Sequence, residues 1–259
     1  MDTLGDWLSH RPFTLGLSSG FFGFFGHTGV LQALHDAGLH PIAAAGSSAG
    51  ALVAGAHAAG LEPDALAERL RRLRTEEFWD PAPALGISEL GFIRVGRFTN
   101  VMGDLIGAPT FASVRLPLAI STFDVRARAT HVIVSGPLVP AIVASCSVPL
   151  LFQPVHHDGR LLSDGGVRDR AGLAGVSLGT RVLHHHLASR SPWRRSGDPQ
   201  LSPPKRAGLV SLVLEGLERS GPHRLDAGVA AMGQARERAK RALDARVPFG
   251  LEGDGTLAG

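Results

Sequence analysis

Ser48 lies at the centre of Gly46-Ser47-Ser48-Ala49-Gly50, a G-x-S-x-G pentapeptide between the apolar run PIAAA (41–45) and a small-residue segment, 49–59. A nucleophile on a sharp strand-to-helix turn needs neighbours without a Cβ, which gives Gly46 and Gly50 a purpose. The helix that follows would aim free N–H groups and a positive dipole end at the same spot, favouring an alkoxide or oxyanion. The plainer alternative is a helix start with Ser47 as its cap. A serine hydroxyl also needs a base. One route is a Ser–His–Asp triad in the order Ser48, Asp164, then one of His184–His186. Two features count against it: only two short strands precede Ser48, and three consecutive histidines in an apparent strand occupy pleat positions. The other route is a dyad in which Asp164, in Ser163-Asp164-Gly165-Gly166, takes the proton itself. That requires burial and neighbours to bring its pKa toward the working pH. An Asp-Gly pair with no more than a turn role is the competing reading.

The elements that must position these residues alternate. FTLGLSS (13–19) reads as a buried strand, His27–Ala37 as a helix stopped by Gly38, PIAAA as a second strand, and 49–59 as a second helix closed by Gly60. Short connections between strand and helix imply parallel strands with right-handed crossovers. An amphipathic helix follows over 61–73. Residues 80–112, rich in Gly and Pro, read as an irregular or partly helical insertion that could cover a site. Strand character returns at 116–125 and 131–136, then a helix at 139–149 ending before Pro149. GRLLSDGG (159–166) delivers Asp164 to its turn, and 180–188 reads as the last strand. The expected organisation is a catalytic domain over 13–190, a linker over 191–206, a helical extension over 207–246 with helices near 207–219 and 224–245, and a frayed tail, 247–259.

The 259 residues carry 26 Lys+Arg and 23 Asp+Glu with 44% hydrophobic side chains, which excludes wholesale disorder. The lone Cys146 excludes an internal disulfide framework and a cysteine zinc cluster. No run of eighteen apolar residues exists to span a bilayer as a helix. Asp2 and Asp6 stand where a secretion leader wants basic charge. The expected location is cytoplasmic. Residues 181–246 hold 13 basic and 6 acidic side chains, so this region could touch an anionic surface; a solvated basic helix face is the bland counterpart.

Four stretches together resemble the patatin-like phospholipase family. LGLSSGFFGFFGHTGVLQALHDAG (15–38) is similar to its opening strand, oxyanion loop and helix, and AAAGSSAGALVAGAHAAG (43–60) to its nucleophile segment. ASCSVPLLFQPV (144–155) and LLSDGGVRDR (161–170) resemble the approach to its catalytic Asp and its Asp-Gly-Gly/Ala motif. The order and spacing hold over roughly 13–187. The resemblance implies a three-layer α/β/α sandwich with a mostly parallel central sheet. It also implies a Ser48–Asp164 dyad with no metal or organic cofactor, and hydrolysis of lipid acyl esters. Backbone N–H groups of Gly20, Phe21, Phe22 and Gly23 would form the oxyanion hole. This chain departs from the family where Gly-Gly-Gly-x-Arg-Gly becomes Ser19-Gly20-Phe21-Phe22-Gly23-Phe24. Asp169 and Arg170 replace the Asn and Pro region after Asp-Gly-Gly, an exchange expected to weaken that turn.

The readings that follow are a serine acyl hydrolase acting on lipid or small esters, or a lipid-binding scaffold that kept the fold and lost catalysis. Retention of both Ser48 and Asp164 is awkward for the scaffold. A dinucleotide-binding domain fails because the glycines are spaced G-x-x-G-x-x-G and no acidic residue closes PIAAA. No nucleic-acid partner is expected. Peripheral membrane contact would run through Phe21, Phe22, Phe24 and Phe25 or through the basic C-terminal helix. The phenylalanines are otherwise core of the first crossover, and His27 a residue of the helix start.

Overall fold

The computed structural model describes residues 2–81, 93–107, 109–188, 194–195, 197–247 and 255–259. Its centre is a sheet in which β1 (Thr14–Leu17) pairs in parallel with β2 (Ala43–Ser47), and β2 with β3 (Leu118–Asp124). On the other edge of β1 lie β7 (Val182–His186), β8 (Leu209–Val213) and β9 (Gly255–Ala258), all parallel. Antiparallel pairing is confined to the far end, where β4 (Ala129–Ile133) and β6 (Arg160–Asp164) pair with β3, and β5 (Val155–His157) with β6. Helices flank this mostly parallel sheet, as expected. β1, β7 and β8 are buried throughout, as central parallel strands covered on both faces are, and in β7 that burial takes in His184–His186.

The pairing of β3 positions the site. β4 pairs with β3 from Ile120 to Asp124, so it needs one whole edge of that strand. β2 (Ala44–Ser47 opposite 118–121) and β6 (Asp164 opposite Thr122) therefore share the other edge. The C-terminal ends of β2 and β6 meet head to head there, and Ser48 and Asp164 leave the sheet as neighbours.

The helices are α1 (Leu4–His10), α2 (Phe24–Asp36), α3 (Ala49–Ala58), α4 (Pro63–Arg71), α5 (Thr75–Phe78), α6 (Gly96–Ile106), α7 (Leu138–Cys146) and α8 (Leu225–Asp244). α2 begins three residues before His27 and stops as expected: Gly38 takes φ +67, and Leu39 N–H reaches back to the Leu34 carbonyl at 2.9 Å. α8 docks its alanine face on α2 so closely that a Cβ on Gly29 would stand 2.2 Å from the Met232 carbonyl. Alanine is too small to anchor a membrane face but suits close helix contact. Arg236 adds a bidentate pair to Asp36 at 2.8 Å.

Three expectations give way. Residues 209–213 form the strand β8 where a helix is expected near 207–219; a five-residue run with four apolar side chains carries too little periodicity to separate the two. The strand 180–188 is accordingly not the last. The tail expected to fray supplies β9, whose edge pairing with β8 satisfies its backbone. Of the expected linker, residues 191–193 and 196 lie outside the described residues, and Pro199–Leu201 form a 3-10 turn.

Candidate active site

Ser48 occupies the turn between β2 and α3 with φ +54° and ψ −121°, a region that L-residues rarely enter and that costs about 1–3 kcal/mol. The glycines permit it. A Cβ on Gly50 would stand 2.1 Å from the Leu17 carbonyl, and one on Gly46 2.5 Å from the backbone of Gly50. From the other side Gly172, at φ +71°, backs on the elbow: its Cβ would stand 2.7 Å from Ser47 N. The elbow is thus wedged between β1 and the 169–174 loop. Ser48 N–H donates to Ser145 Oγ at 2.9 Å, and Ser145 Oγ–H in turn donates to the Ser121 carbonyl at 2.7 Å. Ser145, on α7, fixes the Ser48 backbone and occupies its N–H. It lies within ASCSVPLLFQPV (144–155), a stretch that by itself assigns it no contact with Ser48.

Asp164 ends β6 with both glycines after it under constraint: a Cβ on Gly165 would meet the Ser121 carbonyl at 2.1 Å, and one on Gly166 the Ser19 hydroxyl at 2.2 Å. Oδ1 accepts the Gly166 N–H at 2.7 Å. The carboxyl is pushed up to about 6 by burial, which outweighs the Ser48 side chain, the Gly166 N–H and the Arg170 charge that pull it down. Ser48 is near enough to act on the carboxylate, yet Oδ2 is buried with no hydrogen-bond partner of normal geometry among the described residues. Hydrogen bonds of this kind are often long before substrate binds.

Asp169 overturns one expectation. It accepts Ser121 Oγ at 2.6 Å and the N–H groups of Gly172, Leu173 and Ala174 at 3.0, 3.3 and 2.8 Å. An acceptor-only carboxylate organises this loop by itself, so the exchange of Asn for Asp does not weaken the turn.

The Phe-rich loop separates into parts. Phe25 is core, Phe22 and Phe24 line the cleft at Ser48, and Phe21 is 53% exposed at its rim. Gly23 N–H donates to the Gly20 carbonyl at 2.9 Å and is thereby used. The N–H groups of Gly20, Phe21 and Phe22 have no acceptor among the described residues. Phe22 takes φ +56°, the left-handed region that glycine enters freely and a residue with a Cβ does not.

An apolar cleft of about 790 Å³, counted with its open mouth, leads from Ser48 between the loop and the helices after α3. Leu52, Phe78, Phe98, Met102 and Phe152 are among its walls. Phe98 and Met102 come from α6, so the insertion expected to cover a site does so over its described part; residues 82–92 and 108 lie outside the described residues.

The histidines do not join the site. His27 Nε2 faces the Ser18 carbonyl at 2.8 Å and must carry the proton, so its Nδ1 accepts from His185 Nδ1–H at 2.8 Å. His184 Nε2 bonds the Ala171 carbonyl and His186 Nε2 the Leu201 carbonyl, each at 3.0 Å. Burial holds His27 down at about 4 and His184 at about 3, so both stay neutral. None of the four bonds to Ser48 or Asp164, which removes the triad. His27 instead anchors the chain just before the Phe-rich loop.

This is an α/β architecture with a serine on a strained strand-to-helix elbow beside a buried aspartate. The model of the patatin-like phospholipase family matches residues 15–175, and the chain belongs to that family. Uncharacterized NTE family proteins of Mycobacterium tuberculosis and Mycobacterium bovis are 32% identical over 193 residues, covering 73% of this chain and 52% of theirs. A triacylglycerol lipase, ptl3, of Schizosaccharomyces pombe is 37% identical over 155 residues, covering 51% of this chain and 32% of its own. Among solved structures, VipD from Legionella pneumophila gives a TM-score of 0.42 at 12% identity, covering 78% of this chain and 50% of that one. The chain spans about half the length of the curated relatives it matches first. Among the described residues no helix is long and apolar enough to cross a membrane.

Proposed function

We propose that the chain is a serine acyl hydrolase that cleaves carboxylic esters of lipids through an acyl-enzyme on Ser48. The observation that carries this reading is the meeting of Ser48, on its strained elbow, with a buried carboxylate of pKa about 6 at the mouth of an apolar cleft. Asp164 takes the Ser48 proton as Oγ attacks the ester carbonyl. The carbonyl oxygen gains the charge and rests on the N–H groups of Gly20, Phe21 and Phe22, with the start of α3 adding its dipole. Collapse breaks the ester C–O bond, and Asp164 returns the proton to the departing alcohol. Water then repeats the sequence on the acyl-enzyme, releasing the fatty acid and restoring Ser48. The apolar cleft suits the acyl chain, because burying each methylene contributes about 0.8 kcal/mol. Phe21 and Leu150, 53% and 63% exposed, belong to segments bordering the cleft and suit contact with a lipid surface. The apolar face of α8 is spent on α2, which leaves only its basic face for a membrane role.

The test is a panel of p-nitrophenyl esters and phospholipid vesicles with wild type, Ser48→Ala and Asp164→Ala. Hydrolysis by wild type alone supports the reading; equal rates for wild type and Ser48→Ala would sink it.

A further inference from the structure

The connection between β8 and α8, residues 214–224, lies outside the stretch matched by the family model, yet it reaches the site. It is tied down along its length. Arg238 donates to the Glu215 carbonyl, and Gln234 Oε1 accepts Glu218 N–H at 3.3 Å while its amide donates to Glu218 Oε1 at 3.1 Å. Thr75 donates to the Pro222 carbonyl, and the His223 ring meets Trp79 at 6.2 Å. Between these anchors Ser220 Oγ donates to the Phe22 carbonyl at 3.0 Å.

That bond falls on the strained residue of the oxyanion loop. Phe22 holds φ at +56°, at a cost of about 1–2 kcal/mol for a residue with a Cβ. Relaxation to negative φ would turn the Phe21–Phe22 peptide, and the Phe22 N–H would turn with it. Strain and oxyanion geometry are therefore one coordinate. The Phe22 ring is fixed by Phe24 and Phe78, with centroids at 5.4 and 5.7 Å. The backbone has less support: behind the loop lies a second cleft of about 1010 Å³, counted with its open mouth, shared by Gly20–Gly23 and the 214–220 part of the segment. Among the described residues the Ser220–Phe22 bond is the hydrogen bond that crosses it.

We infer that residues 214–224 act as a strap for the oxyanion loop and that Ser220 is a positioning residue, holding Phe22 so that its N–H points at the reacting carbonyl. The inference rests on the reading of Ser48 as an acyl-transfer nucleophile. It also accounts for a phenylalanine held at positive φ: the strap supplies from outside the restraint that keeps Phe22 in that conformation.

The experiment compares wild type, Ser220→Ala, Ser220→Thr and a control, Arg236→Ala, which loosens α8 from α2 away from the site. The readouts are kcat and KM on a short soluble p-nitrophenyl ester and the thermal midpoint. Ser220→Ala should lower kcat about tenfold with KM within about twofold, and Ser220→Thr should recover most of it. Arg236→Ala should keep kcat whatever its midpoint. Wild-type kcat in Ser220→Ala, a loss that threonine does not recover, or an equal kcat loss in Arg236→Ala would overturn the strap. A wild type that hydrolyses no ester would instead remove the acyl-hydrolase reading, and the strap with it.

Discussion

Asp164 is asked to be buried and ionised at once, and the conflict is measurable. Burial raises its pKa from 3.8 to about 6, so the folded protein binds more protons than the unfolded chain between those values. Stability from this group is therefore present below pH 4 and lost as pH rises through about 6. At pH 8 the ionised carboxylate costs on the order of 3 kcal/mol. As a base it works only when ionised, so the hydrolysis rate should rise through about pH 6 and level off above. Asp164→Asn keeps an oxygen for the Gly166 N–H and removes the charge. Its thermal midpoint should exceed that of wild type at pH 8, converge with it near pH 4, and activity should be lost. A midpoint below wild type at pH 8 would show that the charge is compensated by contacts of its own. The same trade explains Ser48, whose backbone strain the flanking glycines accommodate rather than remove.

At the scale of elements, the site is made by strand ends. β2 and β6 share one edge of β3, and that alone brings residues 48 and 164 together across more than a hundred residues of sequence. α6 then closes the apolar cleft over them. Val101 of α6 lines the cleft and is half-buried, so a larger side chain there should shorten the space for an acyl chain. Val101→Phe should lower kcat/KM for a dodecanoyl ester relative to a butanoyl ester by about tenfold, with little change in midpoint. An unchanged ratio would place the acyl chain elsewhere. These elements were legible to different degrees. β1, β2, α3 and β6 are bounded by glycines that a turn demands, and their order reads directly from the chain. β8 was not legible as a strand, because its short, mostly apolar run LVSLV suits either period, and β9 pairs along the edge that β8 offers.

Over the whole molecule, the proposed catalytic motifs are local in sequence and their supports are not. Gly46–Gly50 and Asp164–Gly166 carry their own reasons for glycine. Ser145 meets Ser48 from 97 residues away, and Ser220 meets Phe22 from 198, so local sequence shows neither contact, although Ser145 lies within the stretch 144–155. The histidines show the reverse. His184–His186 look chemical in sequence, yet their nitrogens bond carbonyls and His27, and burial keeps them neutral. The central claim is that Ser48 is an activated nucleophile served by Asp164. Its most direct test is to treat folded wild type, Ser48→Ala and Asp164→Ala with a fluorophosphonate probe and to locate the adduct by peptide mass. The account predicts one adduct, on Ser48, that is absent from Ser48→Ala and slowed at least about a hundredfold in Asp164→Ala. An unlabelled wild type, or labelling of Ser48 at the same rate without Asp164, would contradict it.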